Sequence, residues 1–125
     1  MATVLYVDDE AAIRRAVVQW LSRHGHTVHA VGSLADAREV LGAQTVVGAF
    51  VDLWLGKENG RELQNWIDEN RPGLSPNIVY VTGDITACEA SQSPFGTLQR
   101  PVLAKPFELQ QLDDFVDRWM RQPSG

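Results

Sequence analysis

Five short segments of the chain are nearly unbroken runs of apolar and β-branched residues. "TVLYV" (3–7), "TVVGAFV" (45–51) and "NIVYVT" (77–82) are the strongest, and "TVHAV" (27–31) and "PVLA" (101–104) are weaker and shorter. Strands of a parallel sheet read as continuous apolar runs, because both of their faces are covered. The weaker runs suit edge or flanking strands. Between these segments the apolar positions change to a helical period. In 10–25, Ile13, Ala16, Val17, Trp20 and Leu21 follow the i, i+3, i+4, i+7, i+8 rule, and Gly25 can end the helix. Ser33 reads as an N-cap for 34–42, with Asp36 three residues on as a capping-box variant. Leu63, Trp66 and Ile67 share one face before the Pro72-Gly73 stop. Leu109, Leu112, Phe115, Val116 and Trp119 form the clearest apolar stripe, over 108–122.

The order is β-α repeated about five times, which predicts an α/β fold with a parallel sheet between two helical layers and right-handed crossovers. The expected architecture is a three-layer, doubly wound (flavodoxin-like) five-stranded sheet of order 2-1-3-4-5. Residues 84–100 break the pattern. A helix can start near Ile85, but Ser93, Pro94 and Gly96 stop it early, so the fourth helix is expected to be short or irregular. One domain spans 1–121, and 122–125 reads as a frayed tail.

Composition narrows the function classes. The chain has 125 residues, enough for one domain with a real core, and a net charge of −5. An acidic balance argues against direct nucleic-acid binding. No apolar run approaches the roughly 20 residues of a membrane span. The first ten residues lack the basic region of a secretory signal. A single cysteine, Cys88, fits a reducing compartment. A cytoplasmic protein without membrane contact is the expectation.

The polar residues that end the strands carry the chemistry. In an open parallel sheet, ligands bind at the carboxyl ends of the strands, beside the switch point. Asp8 and Asp9 follow the first strand, Asp52 the third, Thr82 ends the fourth and Lys105 follows the fifth. With order 2-1-3-4-5, Asp8, Asp9 and Asp52 meet in one crevice. Two carboxylates 4 Å apart repel by roughly 4 kcal/mol at an effective dielectric of 20. Lys105 supplies one compensating charge, and a divalent hard cation supplies two; oxygen ligands suit Mg²⁺. Mg²⁺ uses few carboxylates and keeps phosphate oxygens in its shell, which leaves Asp52 as a nucleophile toward phosphorus. Lys105 and the Thr82 hydroxyl, with the metal, are placed to hold the transferring oxygens.

On these residues the chain resembles the receiver domain of two-component response regulators, over nearly its whole length. The resemblance rests on "VLYVDDE", "FVDLWL", "ENG", "VTGD" and "LAKPF", in that order and spacing. It implies that Asp52 is the phosphorylated aspartate and belongs, with Asp8, Asp9 and the backbone carbonyl of Trp54, to the Mg²⁺ site. Asp9 is the implied direct ligand and Asp8 acts mainly through water. It also implies a cis proline at Pro106, and a phosphoryl donor that is a phosphohistidine on a sensor histidine kinase or phosphotransfer protein. Docking of that partner through Ile13, Arg14 and Val17, an unidentified downstream protein and a homodimer are further family expectations. Two positions depart from the pattern. Gly56 stands where receivers commonly have proline, and Val102 where many have a switching Tyr or Phe.

Other readings compete. A degenerate receiver would serve as a docking module without phosphorylation. A Mg²⁺-dependent phosphohydrolase would need a second acid near the nucleophile, whereas Asp52 is followed by Leu53, Trp54 and Leu55. A flavin- or nucleotide-binding module would need a first loop rich in Gly, Ser or Thr, and this loop is anionic. His24, His26 and His29 straddle a helix end and an edge strand without a cysteine, so they read as ordinary residues and not as a metal site. Trp20, Trp66 and Trp119 read as core or helix-interface residues, and Trp54 as lining the mouth of the site.

Overall fold

Each predicted strand finds parallel partners in one five-stranded sheet. In the computed structural model, which describes residues 2–83 and 100–121, these strands are β1 (Thr3–Val7), β2 (Thr27–Val31), β3 (Gly48–Asp52), β6 (Ile78–Thr82) and β7 (Val102–Ala104). Their order, β2-β1-β3-β6-β7, is 2-1-3-4-5 when the sheet's strands are counted along the chain. The helices are α1 (Ala11–Arg23), α2 (Leu34–Ala43), α3 (Arg61–Asn70) and α4 (Leu109–Arg121). The short or irregular helix expected in 84–100, the surroundings of Cys88 and the tail at 122–125 fall on residues outside those described, apart from Arg100. Among the described residues no helix is long and apolar enough to cross a membrane.

Strand alternation divides the core into two layers. Val4, Tyr6, Phe50, Val79, Val81 and Leu103 pack with Val17 and Leu21 of α1 and Leu112, Val116 and Trp119 of α4. Leu5, Val7, Ala49, Val51, Ile78 and Tyr80 pack on the opposite face with α2 and α3. Both faces of the central strands are therefore dry, which is why β1, β3 and β6 lack an alternating pattern.

Local chemistry sets the helix ends. The Ser33 hydroxyl accepts the Asp36 N–H at 3.2 Å, capping α2. α1 ends at Arg23 with C-cap His24, and Gly25 follows with φ of 85°, a left-handed conformation that suits glycine.

The third strand begins later than its apolar run suggests. Val46 and Val47 precede it, and the ladder starts at Gly48, against which the Trp119 ring lies. The segment after Asp52 is also more regular than a bare loop. Trp54–Leu55 (β4) and Glu58–Asn59 (β5) pair antiparallel as a small hairpin, turned by Gly56 at φ +62°. Glycine at the position where receivers commonly carry proline thus permits a left-handed turn. Asn59 then accepts the Arg61 N–H through Oδ1 at 2.8 Å and leads into α3.

Candidate functional site

Alternation also aims the key side chains. Asp8 lies two residues beyond Tyr6, Asp52 two beyond Phe50 and Lys105 two beyond Leu103, and these three apolar residues share one core layer. At the carboxyl ends of the strands, with Asp52 the last residue of β3 and Asp8 and Lys105 just past β1 and β7, the three polar side chains continue on that side and converge. Lys105 Nζ lies 2.8 Å from Asp52 Oδ2, 2.9 Å from Asp8 Oδ2 and 3.2 Å from Glu10 Oε1. The peptide bond between Lys105 and Pro106 is cis.

Each carboxylate is held differently. Asp8 is fully buried; its Oδ1 accepts the Glu10 N–H at 2.9 Å, and its Oδ2 accepts the Tyr6 hydroxyl at 3.0 Å. Its backbone carbonyl accepts from Arg14 Nη1 at 2.7 Å. Asp52 is buried and accepts the Trp54 N–H through Oδ1 at 3.1 Å. Asp9 is exposed, and its Oδ2 accepts the Gly56 N–H of the hairpin turn at 3.1 Å. Gly60 passes directly beneath the nucleophile candidate: a Cβ there would stand 2.1 Å from the Asp52 carbonyl oxygen.

The electrostatics follow from burial and crowding. Burial pushes the Asp52 carboxyl upward; Lys105 and the Trp54 N–H pull it back, Asp8 adds to the rise, and the net shift is upward. Burial alone would lower Lys105, but the carboxylates of Asp52 and Asp8 outweigh it and hold the ammonium charged. Tyr6 is pushed far upward by burial and by the Asp8 charge beside it, so its hydroxyl stays a donor.

Three carboxylates, those of Asp8, Glu10 and Asp52, thus share the ammonium of Lys105, and Asp9 lies beside Asp8 and Glu10. Ligand oxygens of Asp8, Asp9 and Glu10 lie within 4.8 Å of one another, an all-oxygen set that fits a hard divalent cation. Among the described residues no other group of His, Cys, Asp and Glu has such a spacing, the three histidines included. Glu10 was not singled out by sequence reasoning as a ligand; its place in the run "VDDE" was the available signal. Tyr6 was also missed, although i, i+2 alternation puts it on the side of Asp8.

The remaining expected residues are placed as follows. Thr82 is buried at the end of β6, one residue beyond Val81, the register partner of Asp52; its carbonyl accepts the Lys105 N–H at 2.7 Å. Trp54 is 43% exposed, on the hairpin beside Asp52. Val102 pairs with Tyr80 across β6 and β7 and packs on the α2/α3 core. Val17, expected on a docking face, is fully buried core, because the α1 stripe turns it toward the sheet. Arg14 is partly committed to the Asp8 carbonyl.

Comparison with known proteins agrees with this fold. The family model for the response regulator receiver domain matches residues 4–117. The regulatory protein VirG of Agrobacterium tumefaciens (strain 15955) is 33% identical over 116 residues, covering 86% of this chain and 39% of VirG. The DNA-binding transcriptional regulator NtrC of Azospirillum brasilense is 34% identical over 119 residues, covering 94% of this chain and 24% of NtrC. The chain therefore spans between about a quarter and two fifths of the length of these curated relatives. Among solved structures, NtrX from Brucella abortus in complex with ADP superposes with a TM-score of 0.75 at 28% identity, over 95% of this chain and 26% of NtrX. TrrA from Thermotoga maritima, solved with Mg²⁺ and beryllofluoride, has a TM-score of 0.77 at 18% identity, over 95% of this chain and 99% of that one, a likeness of fold. The chain belongs to the response regulator receiver domain family.

Proposed function

We propose that this receiver domain, taken as residues 1–121, accepts a phosphoryl group on Asp52 in a Mg²⁺-dependent reaction. The donor is a phosphohistidine on a sensor histidine kinase or phosphotransfer protein. The observation that carries the reading is the position of Lys105 Nζ, within 2.9 Å of both Asp8 and Asp52 at the carboxyl edge of the sheet. The ammonium is placed to hold an oxygen of the incoming phosphoryl group.

An Asp52 oxygen attacks phosphorus in line, the P–N bond to the donor imidazole breaks, and the imidazole leaves with the bonding pair. Lys105 and the Thr82 hydroxyl take phosphoryl oxygens. The Trp54 N–H, on Asp52 Oδ1 at 3.1 Å, fixes the nucleophile's orientation. Asp8, Asp9, Asp52 and the Trp54 carbonyl would hold Mg²⁺, with Glu10 close by. When bound, the cation supplies charge neutralisation for the crowded oxygens. The chain's catalysis is limited to its own phosphorylation and slow dephosphorylation, so it is a signalling domain and not an enzyme with turnover. We place it in the cytoplasm, where its kinase partners expose their phosphohistidines.

Phosphorylation adds about −1.5 to −2 charge at Asp52 and so alters the binding of a downstream protein. The domain itself makes no direct nucleic-acid or membrane contact. Incubation with Mg²⁺ and a small acyl phosphate is expected to add one phosphoryl group by intact mass, and Asp52→Ala to remove that gain. Unchanged mass in the wild type, or a gain that survives in Asp52→Ala, would replace this reading with a docking module that works without phosphate.

A further inference from the structure

Asp8 and Lys105 present a problem that the phosphoacceptor reading does not solve. Lys105 Nζ is shared almost equally between Asp8 Oδ2 and Asp52 Oδ2, at 2.9 and 2.8 Å. A phosphoryl group on Asp52 must draw that ammonium toward its own oxygens. Asp8 would then lose its cation while fully buried, and a buried carboxylate oxygen without a partner is costly. Tyr6 stands at that oxygen. Its side chain is also fully buried, its ring lies 6.2 Å from that of Phe50, and its hydroxyl donates to Asp8 Oδ2 at 3.0 Å.

The donors partition the carboxylate. A carboxylate offers about four lone-pair sites. Tyr6 and Lys105 use the two on Oδ2, and the Glu10 N–H uses one on Oδ1. One site remains, on Oδ1, the oxygen that already accepts the Glu10 N–H. Oδ2 is thus filled by Tyr6 and Lys105, and Oδ1 keeps one site.

We propose that Tyr6 is a positioning residue of the phosphoacceptor site: its hydroxyl holds Asp8 Oδ2, leaving the open site on Oδ1 for the metal shell and keeping Asp8 satisfied when Lys105 moves to the phosphoryl group. This inference rests on the phosphoacceptor reading above. It concerns a residue that touches neither the phosphoryl group nor, directly, the cation.

The test uses the whole chain and its two tyrosines, Tyr6 and Tyr80. Tyr6→Phe keeps the ring and removes the donor. Tyr80→Phe removes another buried hydroxyl, one that donates to Gln64 Oε1, and serves as the control. Calorimetric titration with MgCl₂ is expected to show about tenfold weaker binding for Tyr6→Phe, as for other groups that orient a metal ligand. The phosphorylation rate with a small acyl phosphate at saturating Mg²⁺ is expected to fall about fivefold, the worth of one hydrogen bond. Tyr80→Phe should leave both within about twofold of wild type.

A Tyr6→Phe protein that melts earlier but matches wild type in both measurements would overturn the proposal, because a purely packing role predicts that result. Equal losses in both variants would overturn it too. A wild type that neither binds Mg²⁺ nor gains phosphate on Asp52 instead sinks the site reading, and this inference with it. Should Tyr6→Phe fail to fold, 3-fluorotyrosine in the Tyr80→Phe background gives Tyr6 as the single ¹⁹F signal. That signal must shift with Mg²⁺ and again with beryllofluoride; a signal fixed through both additions overturns the proposal.

Discussion

Asp8 and Asp113 are both buried aspartates, and the molecule treats them in opposite ways. Asp8 sits under a lysine, a tyrosine hydroxyl and a backbone N–H, with three further carboxylates nearby. Asp113, on α4, accepts one hydrogen bond from Trp20 Nε1 of α1 at 2.7 Å; His24 Nδ1 is 3.8 Å away, and Oδ1 is buried without a partner among the described residues. The first cluster concentrates charge well beyond what folding needs. The second uses one carboxylate to join two helices across the α1/α4 layer. Burial of an acid is therefore a poor sign of chemistry by itself. Crowding of like charges around a shared cation is the better one, since a bound cation offsets its electrostatic cost.

The largest way to break that contrast is Lys105→Met, which keeps most of the side chain's length and removes the charge. Asp8 and Asp52 would be left buried without their cation, and a loss of about 3–5 kcal/mol is expected in urea denaturation without Mg²⁺. Mg²⁺ at about a hundred times its Kd should restore about 2.7 kcal/mol of that. A variant as stable as wild type in the absence of Mg²⁺ would show that the carboxylates are neutral or hydrated rather than paired.

A pair of glycines sharpens the comparison at smaller cost. In Gly60→Ala the new Cβ would meet the Asp52 carbonyl oxygen at 2.1 Å, and in Gly48→Ala it would meet the Trp119 ring at 2.2 Å. Trp119 is held between Phe50 and Phe115, at centroid distances of 5.0 and 6.3 Å, so the ring has little room to yield. Each substitution is expected to cost about 1–3 kcal/mol. Only Gly60→Ala shifts the nucleophile, and it should slow phosphorylation at saturating Mg²⁺ by about tenfold or more. Equal rates for the two folded variants would mean that the Asp52 backbone position does not limit the chemistry.

How much of this was legible depended on the range of the interaction. Strand identity and order were readable because parallel strands leave continuous apolar runs. The convergence of Asp8, Asp52 and Lys105 was readable because each stands at the carboxyl end of a strand. The contact of Tyr6 with Asp8 was within reach through i, i+2 alternation, but a tyrosine inside an apolar run reads as core. The β4–β5 hairpin was hidden, since two-residue strands carry no period and the cue was a lone Gly56. The Trp20–Asp113 bond joins residues 93 positions apart and depends on how two helices pack, which no local pattern reports.

The remaining predictions test that last bond, and they leave the phosphoacceptor chemistry untouched. Trp20→Phe keeps an aromatic ring beside His24 but removes the indole donor, leaving both Asp113 oxygens without it. Loss of one hydrogen bond to a buried charge should cost about 1.5–3 kcal/mol. Asp113→Asn is milder, because its amide oxygen can still accept from Trp20 Nε1 while the buried charge disappears; a change within about 1 kcal/mol is expected. The double variant should recover part of the Trp20→Phe loss, since an amide tolerates the missing donor better than a carboxylate does. Mg²⁺ affinity should stay at the wild-type value in all three, because these residues touch none of the carboxylates around Lys105. A shifted Mg²⁺ titration in Asp113→Asn would show instead that the α1/α4 clasp and the phosphoacceptor edge are energetically linked, and α1, which carries both Arg14 and Trp20, is the element through which that link would run.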